Sequence, residues 1–172
     1  MTIVDYAKKY ADLGWYVIQF NFIKDGNCSC GKKDCKSPGK HPRLPKWPEL
    51  ATTDKTVIEK WWKDYPEANV GIVPGKSGLL VLDVDAKHGG LIQLDLLEDE
   101  YEKLPSTLTV ETGGGGLHYY FKRPKNGAKN VTGLTKRAGI DIKCDGGAII
   151  CPPSLHASKR RYMWRDEPWE DS

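Results

Sequence analysis

The run Gly78-Leu79-Leu80-Val81-Leu82-Asp83-Val84-Asp85 constrains the chain more than any other stretch. Its apolar, β-branched character predicts a strand over residues 79–85, set inside a sheet that is otherwise buried. Residues two apart in a strand project from the same face, so Asp83 and Asp85 emerge side by side where the apolar run ends. Two neighbouring carboxylates repel unless something neutralises them, and a divalent cation does so. A solvated pair of turn aspartates is the alternative reading of the dyad alone.

The surroundings of this strand set the fold class. Helical spacing covers residues 4–13 and stops at Gly14, and a strand is expected over Trp15 to Ile23. Thr53 or Asp54 can cap a helix running through Trp62. A short strand near residues 70–73 precedes the aspartate strand, and a helix is expected over 90–103. Strands at 108–111 and 118–122 flank the turn Gly113–Gly116. Residues 139–144 and 148–151 read as a hairpin around Asp145-Gly146-Gly147, and 162–164 as a last edge strand. This order predicts one α+β domain over 1–172 with a mixed or antiparallel sheet. The glycines at 113–116 lead into a strand rather than a helix, which excludes a dinucleotide or P-loop phosphate cradle.

With 39% hydrophobic and 28% charged residues, the chain has the composition of a soluble globular protein. No apolar stretch has the length of a membrane helix and the N-terminus lacks the order of a secretory signal, so a cytoplasmic protein with no membrane partner is expected. The net charge of +3 permits a nucleic-acid partner without demanding one. Lys32, Lys33, Lys36, Lys40, Arg43 and Lys46 crowd one segment, and Lys159, Arg160, Arg161 and Arg165 another. Two such patches suit a polyanion track, or simply keep two loops solvated.

Three further motifs carry chemistry. In Gly113-Gly114-Gly115-Gly116-Leu117-His118, glycine amides could face an anion and the histidine could donate to a phosphate oxygen. In Gly139-Ile140-Asp141-Ile142-Lys143, Asp141 lies between apolar residues, where a buried carboxylate needs a partner. That partner is either a cation shared with Asp83 and Asp85 or the lysine two residues on, and Asp145 competes as third ligand. This oxygen-rich set suits Mg²⁺ or Mn²⁺, and two such ions about 4 Å apart promote in-line phosphoryl transfer. Cys28, Cys30, Cys35 and His41 match a closed Zn²⁺ site stapling a coreless loop at about 24–48, while Cys144 and Cys151 fall in apolar strand patterns.

In this order the motifs resemble the N-terminal domain of bifunctional DNA primase/polymerases, in the archaeo-eukaryotic primase superfamily. The resemblance spans nearly the whole chain. It includes Pro-Gly-Lys-His-Pro-Arg at 38–43, Trp61-Trp62, Asn69-Val70-Gly71-Ile72, Leu82-Asp83-Val84-Asp85, Thr112 through His118, Gly139 through Lys143, and Cys151-Pro152-Pro153-Ser154-Leu155-His156. It implies an RRM-like catalytic sheet in which Asp83, Asp85 and Asp141 hold the metals. It further implies nucleotide contacts from His118, Gly115, Gly116, Lys143, Ser154 and His156, and a zinc-bearing insertion. The family often carries a small hydroxyl two residues before the histidine; here Gly116 stands there, so that phosphate contact would fall to backbone N–H groups. The implied activity is primer synthesis and extension on a single-stranded DNA template from NTP or dNTP, with a helicase domain or protein as a possible partner. The alternative is a replication-associated module that binds nucleotide or single-stranded DNA without polymerising.

Overall fold

The computed structural model describes residues 1–133 and 137–169. Helix α1 (Ile3–Asp12) starts at a capping box, in which Thr2 and Asp5 exchange side-chain and backbone bonds. It buries Ala7, Tyr10 and Ala11 and ends before Gly14, whose φ of 77° turns the chain out of the helix. Strand β1 (Val17–Phe20) follows, then the two-stranded β2 (Ile23–Lys24) and β3 (Asn27–Cys28), and the one-turn helix α2 (Trp47–Leu50). Asp54, rather than Thr53, caps α3 (Lys55–Asp64), accepting from the amides of Thr56 and Val57.

The remaining elements are β4 (Asn69–Ile72), β5 (Leu79–Val84), a 3₁₀ turn at Ala86–His88, α4 (Gly90–Glu100), β6 (Thr109–Glu111), β7 (Leu117–Lys122), β8 (Ile140–Lys143), β9 (Ile149–Ile150) and β10 (Met163–Trp164). Three antiparallel sheets result, ordered β1-β4-β9, β10-β6-β7-β5-β8 and β2-β3. The chain is thus an α+β fold, as its element order predicts. No helix among the described residues is long and apolar enough to cross a membrane.

Strand alternation explains how two cores form on opposite faces of the five-stranded sheet. Leu82, Val84 and Ile140 face α4 and pack with Leu94. Val81, Val110 and Tyr120 face the other way, into a larger core shared with α1, α3 and the three-stranded sheet. Trp15 stacks there between Tyr10 and Tyr120, with ring centroids 5.6 and 5.9 Å away. Trp15 and Trp62 are buried and the other four tryptophans partly buried, so the large exposed aromatics among the described residues are Tyr65 and Tyr101. Trp15 and Trp62 belong to the core and the other four pack against it.

Two expected elements differ. The strand expected over Trp15 to Ile23 is β1 over Val17–Phe20 alone, and Ile23 pairs in the separate β2-β3 sheet. Residues 139–144 and 148–151 do not pair as a hairpin. β8 pairs with β5, and its other edge bridges Val131 opposite Ile142. β9 pairs instead with β4 in the other sheet. Both edges of β8 are therefore taken, and the Asp145-Gly146-Gly147 turn hands the chain from one sheet to the next. Arg123 grips Asp145 through two bonds of 2.8 Å and fixes that crossover. Helix α4 also stops three residues early, leaving Tyr101 72% exposed beyond its end.

Candidate active site

The antiparallel registers of β5 set three polar groups in one row: Asp83 stands opposite His118 on β7 and opposite Asp141 on β8. Direct partners have Cβ atoms roughly 4.5–5.5 Å apart. The row continues the face of Val81, where the large core gives out into an open cleft of about 580 Å³. Asp83, Asp85, His118, Asp141, Lys143 and His156 all line that cleft.

Each carboxylate already has a protein partner. His118 Nε2 lies 3.4 Å from Asp83 Oδ1. Burial alone would raise the Asp83 carboxyl, but the opposed charges of His118, then Lys143 and Lys40, hold it below its ordinary value. Asp85 accepts from the Lys87 amide and pairs with His88 Nδ1, both at 2.9 Å. Asp141 accepts from the Gly133 amide at 2.7 Å and from Lys143 Nζ at 2.9 Å. Of the two partners foreseen for Asp141, the lysine holds it here, and Asp83 stands across from it on β5. His118 is 3% exposed, and its Nδ1 is buried with no hydrogen-bond partner among the described residues. Asp145 does not line the cleft; its carboxyl is held below its usual range by Arg123.

Oxygen donors of this kind fit a hard divalent cation by chemistry. Their present spacing is wider than a metal site: among the described residues, only the Cys/His cluster brings three or more such ligand atoms within 4.8 Å of one another.

The glycine turn is closely packed. A Cβ on Gly116 would sit 2.1 Å from the Val84 carbonyl, and one on Gly113 would sit 2.2 Å from His156 Cβ. The amides of Gly115 and Gly116 are spent on the carbonyl and hydroxyl of Thr112, at 2.9 and 2.8 Å. Neither can serve a phosphate while the turn holds, so the expected backbone replacement for the family's hydroxyl is absent at these two positions.

Ser154 also lies away from the cleft. Fully buried, its hydroxyl accepts from the Val70 amide and donates to the Val70 carbonyl, at 2.9 and 3.0 Å. Buried Asn69 beside it accepts from Leu155 N–H at 2.8 Å and donates to Gly39 and Leu155 carbonyls. These bonds lock the segment that presents His156. His156 Nδ1 accepts from the Ser158 amide, which leaves Nε2 as the proton-bearing nitrogen of the neutral ring. Burial, Lys40 and Arg160 together lower its pKa.

Sequence reading missed part of the wall. Tyr162, 3% exposed, lies 5.9 and 6.0 Å from the rings of His118 and His156. Burial and the charges of Asp83 and Asp85 raise its hydroxyl well above the ordinary value, so it stays a donor. Lys36, Lys40, Lys87 and Arg160 supply a cationic rim. The two basic clusters were visible in the sequence, but nothing local showed that they meet over the same acids.

Beside this rim lies the Cys/His cluster. Cys28, Cys30, Cys35 and His41 converge, with His41 Nε2 3.6 Å from Cys28 Sγ and 3.5 Å from Cys35 Sγ. Bonds of about 2.1–2.3 Å to a tetrahedral ion put ligand atoms roughly 3.5–3.8 Å apart, so the cluster fits Zn²⁺. An amide bond from Lys32 is the largest influence on Cys30, and with bonds from Cys28, His41 and Cys35 it lowers the thiol to about 6. Buried Asn21 braces the loop, accepting from Ser29 and approaching His41 Nδ1 at 3.1 Å. Cys144 and Cys151 are buried small residues; burial pushes the Cys151 thiol up to about 12.

No curated protein matches the chain. A family model does, over residues 7–172, and this range takes in the acid row, the glycine turn, the Cys/His cluster and the cationic rim. The chain belongs to the bifunctional DNA primase/polymerase N-terminal (Prim-Pol) family.

Proposed function

We propose that this domain is a nucleotidyltransferase that synthesises primers and extends them on a single-stranded DNA template. The observation that carries the reading is the row His118–Asp83–Asp141, three strands wide, in a cleft that also collects cations from two distant segments. Acids on the floor and cations at the rim are what a triphosphate and its counter-ions require. The order β6-β7-β5-β8, with α4 following β5 in the chain, supports the RRM-like reading of the catalytic sheet.

In this mechanism a 3′-hydroxyl, or the hydroxyl of a first nucleotide, attacks the α-phosphorus of an NTP or dNTP, and pyrophosphate leaves. Asp83, Asp85 and Asp141 would hold Mg²⁺ or Mn²⁺, which supply charge neutralisation to the attacking and leaving oxygens when bound. Lys143, released from Asp141, offers its ammonium to the phosphates. His118 and Tyr162 offer buried donors at the cleft floor, and His156 contributes Nε2–H from its braced turn. Among the described residues no side chain is positioned as a dedicated base, so the protein contributes mainly alignment and charge.

The partnering of Asp85 and Asp141 favours a second reading, a module that binds nucleotide or single-stranded DNA but does not polymerise. A template-dependent extension assay with labelled nucleotide separates the two. Extension by the wild type and none by an Asp83→Asn/Asp85→Asn variant is expected; normal extension by that variant rules the mechanism out. Binding without extension by the wild type establishes the module.

A further inference from the structure

The Cys/His loop and the acid row are separate features of the sequence, yet the loop forms one wall of the cleft through Lys36, Ser37 and Lys40. Among the described residues neither lysine has a carboxylate within ion-pair distance, whereas Asp83, Asp85 and Asp141 each have a histidine or lysine partner. Charge not consumed by the protein at a cleft rim is available to an anion.

Lys40 is the better placed of the two, because its backbone is held from several sides. The amide of buried Gly39 donates to Cys28 Sγ at 3.4 Å, and its carbonyl accepts from Asn69 at 3.1 Å. The Lys40 amide donates to the Ser37 carbonyl at 3.1 Å. On the other side, the His41 carbonyl accepts from the Asn21 amide at 2.9 Å. One sulfur of the cluster, the main-chain carbonyl of its histidine and two buried asparagines therefore fix where Lys40 begins. Asn69 also binds Leu155, so the same side chain sets the spacing between Lys40 and His156. Lys40 and His156 both line the same cleft.

We infer that Lys40 contacts the β- and γ-phosphates of the incoming nucleotide, and that the Cys28/Cys30/Cys35/His41 cluster positions it, so that zinc occupancy governs affinity for the triphosphate. This deepens the proposed function and rests on it. A flexible lysine on an unbraced loop would lose much of its contact energy to ordering. Bracing by the cluster removes that cost before the nucleotide arrives.

The test compares binding of a non-hydrolysable nucleoside triphosphate, the matching monophosphate and a single-stranded oligonucleotide, by fluorescence competition. Lys40→Ala is expected to weaken triphosphate binding about tenfold or more, the range of a charge-assisted hydrogen bond. Monophosphate and oligonucleotide binding should stay within about twofold, and Lys40→Arg should recover part of the loss. Zinc-stripped wild type should show the same selective loss, with Lys40→Ala adding little to it. Unchanged triphosphate affinity in Lys40→Ala overturns the inference, as does a loss shared equally with the oligonucleotide, which would make Lys40 a template contact. If the wild type does not favour triphosphate over monophosphate at all, the proposed function fails with it.

Discussion

Asp83 and Asp141 are direct antiparallel partners across β5 and β8, although 58 residues of sequence separate them. Two acids in register are costly neighbours, and here His118 and Lys143 offset the repulsion from either side. The site is thus a balanced four-group array, which a polyphosphate with its cations can rearrange by exchanging partners.

Neutralising one acid should abolish turnover while sparing the fold. Asp83→Asn is expected to lower nucleotide incorporation by at least about a hundredfold with an unchanged circular dichroism spectrum, since an isosteric amide keeps the packing but not the charge. Extension at wild-type rate would exclude Asp83 from the chemistry.

The lowered Asp83 pKa sets the direction of a pH effect. Its folded value lies below 3.8, so its charged form stabilises the fold above the ordinary carboxylate range, and that contribution is lost as pH falls through the folded pKa. In urea unfolding without divalent ions, the stability advantage of wild type over Asp83→Asn should hold above about pH 5 and shrink as pH falls below it. An advantage that grows toward acid would show the sign to be wrong.

Ser154 supplies a contrast between support and contact. Ser154→Ala leaves the buried Val70 amide without its partner, while the Val70 carbonyl keeps the Cys151 amide at 2.9 Å, and should cost about 1–3 kcal/mol. Near-wild-type KM for nucleotide is expected under conditions where the variant remains folded. A raised KM with unaltered stability would return Ser154 to the binding surface.

Gly116→Ala tests the packing role of the glycine turn. The added methyl meets the Val84 carbonyl at 2.1 Å, next to the dyad, and should destabilise the domain by about 1–3 kcal/mol. Gly146→Ala, with open space but a φ of 80°, should cost about 1 kcal/mol through backbone strain alone. Equal costs at the two positions would remove the steric account.

Zinc content can be counted directly. Elemental analysis should find one zinc per chain, falling well below one in His41→Ala or Cys35→Ser, with a Tm several degrees lower. A metal-free wild type of unchanged Tm would leave the cluster without a structural role.

Some of this was legible because it is local. The helical spacing of residues 4–13, the cap at Asp54 and the apolar run into Asp83 each depend on neighbours within a few residues. The convergence of Cys28, Cys30, Cys35 and His41 was likewise readable, since a 14-residue span can hardly avoid meeting itself around a metal. Ser154 was misplaced because a serine in a motif looks the same whether it faces a cleft or a buried backbone. The supposed hairpin at 139–151 failed because turn chemistry at Asp145-Gly146-Gly147 says that the chain bends, not which strand it then joins.

Sequence alone determined the element types, the chemical identity of the acids, thiols and cations, and the spacing that puts Asp83 and Asp85 on one face. Those properties follow from backbone geometry and side-chain chemistry over short spans. Only the tertiary structure decided which groups meet: Asp83 with Asp141 and His118, Lys40 with His156, and Gly116 with Val84. Such pairings come from strand register and from the burial of two cores on opposite faces of one sheet, both long-range choices that local propensity leaves open.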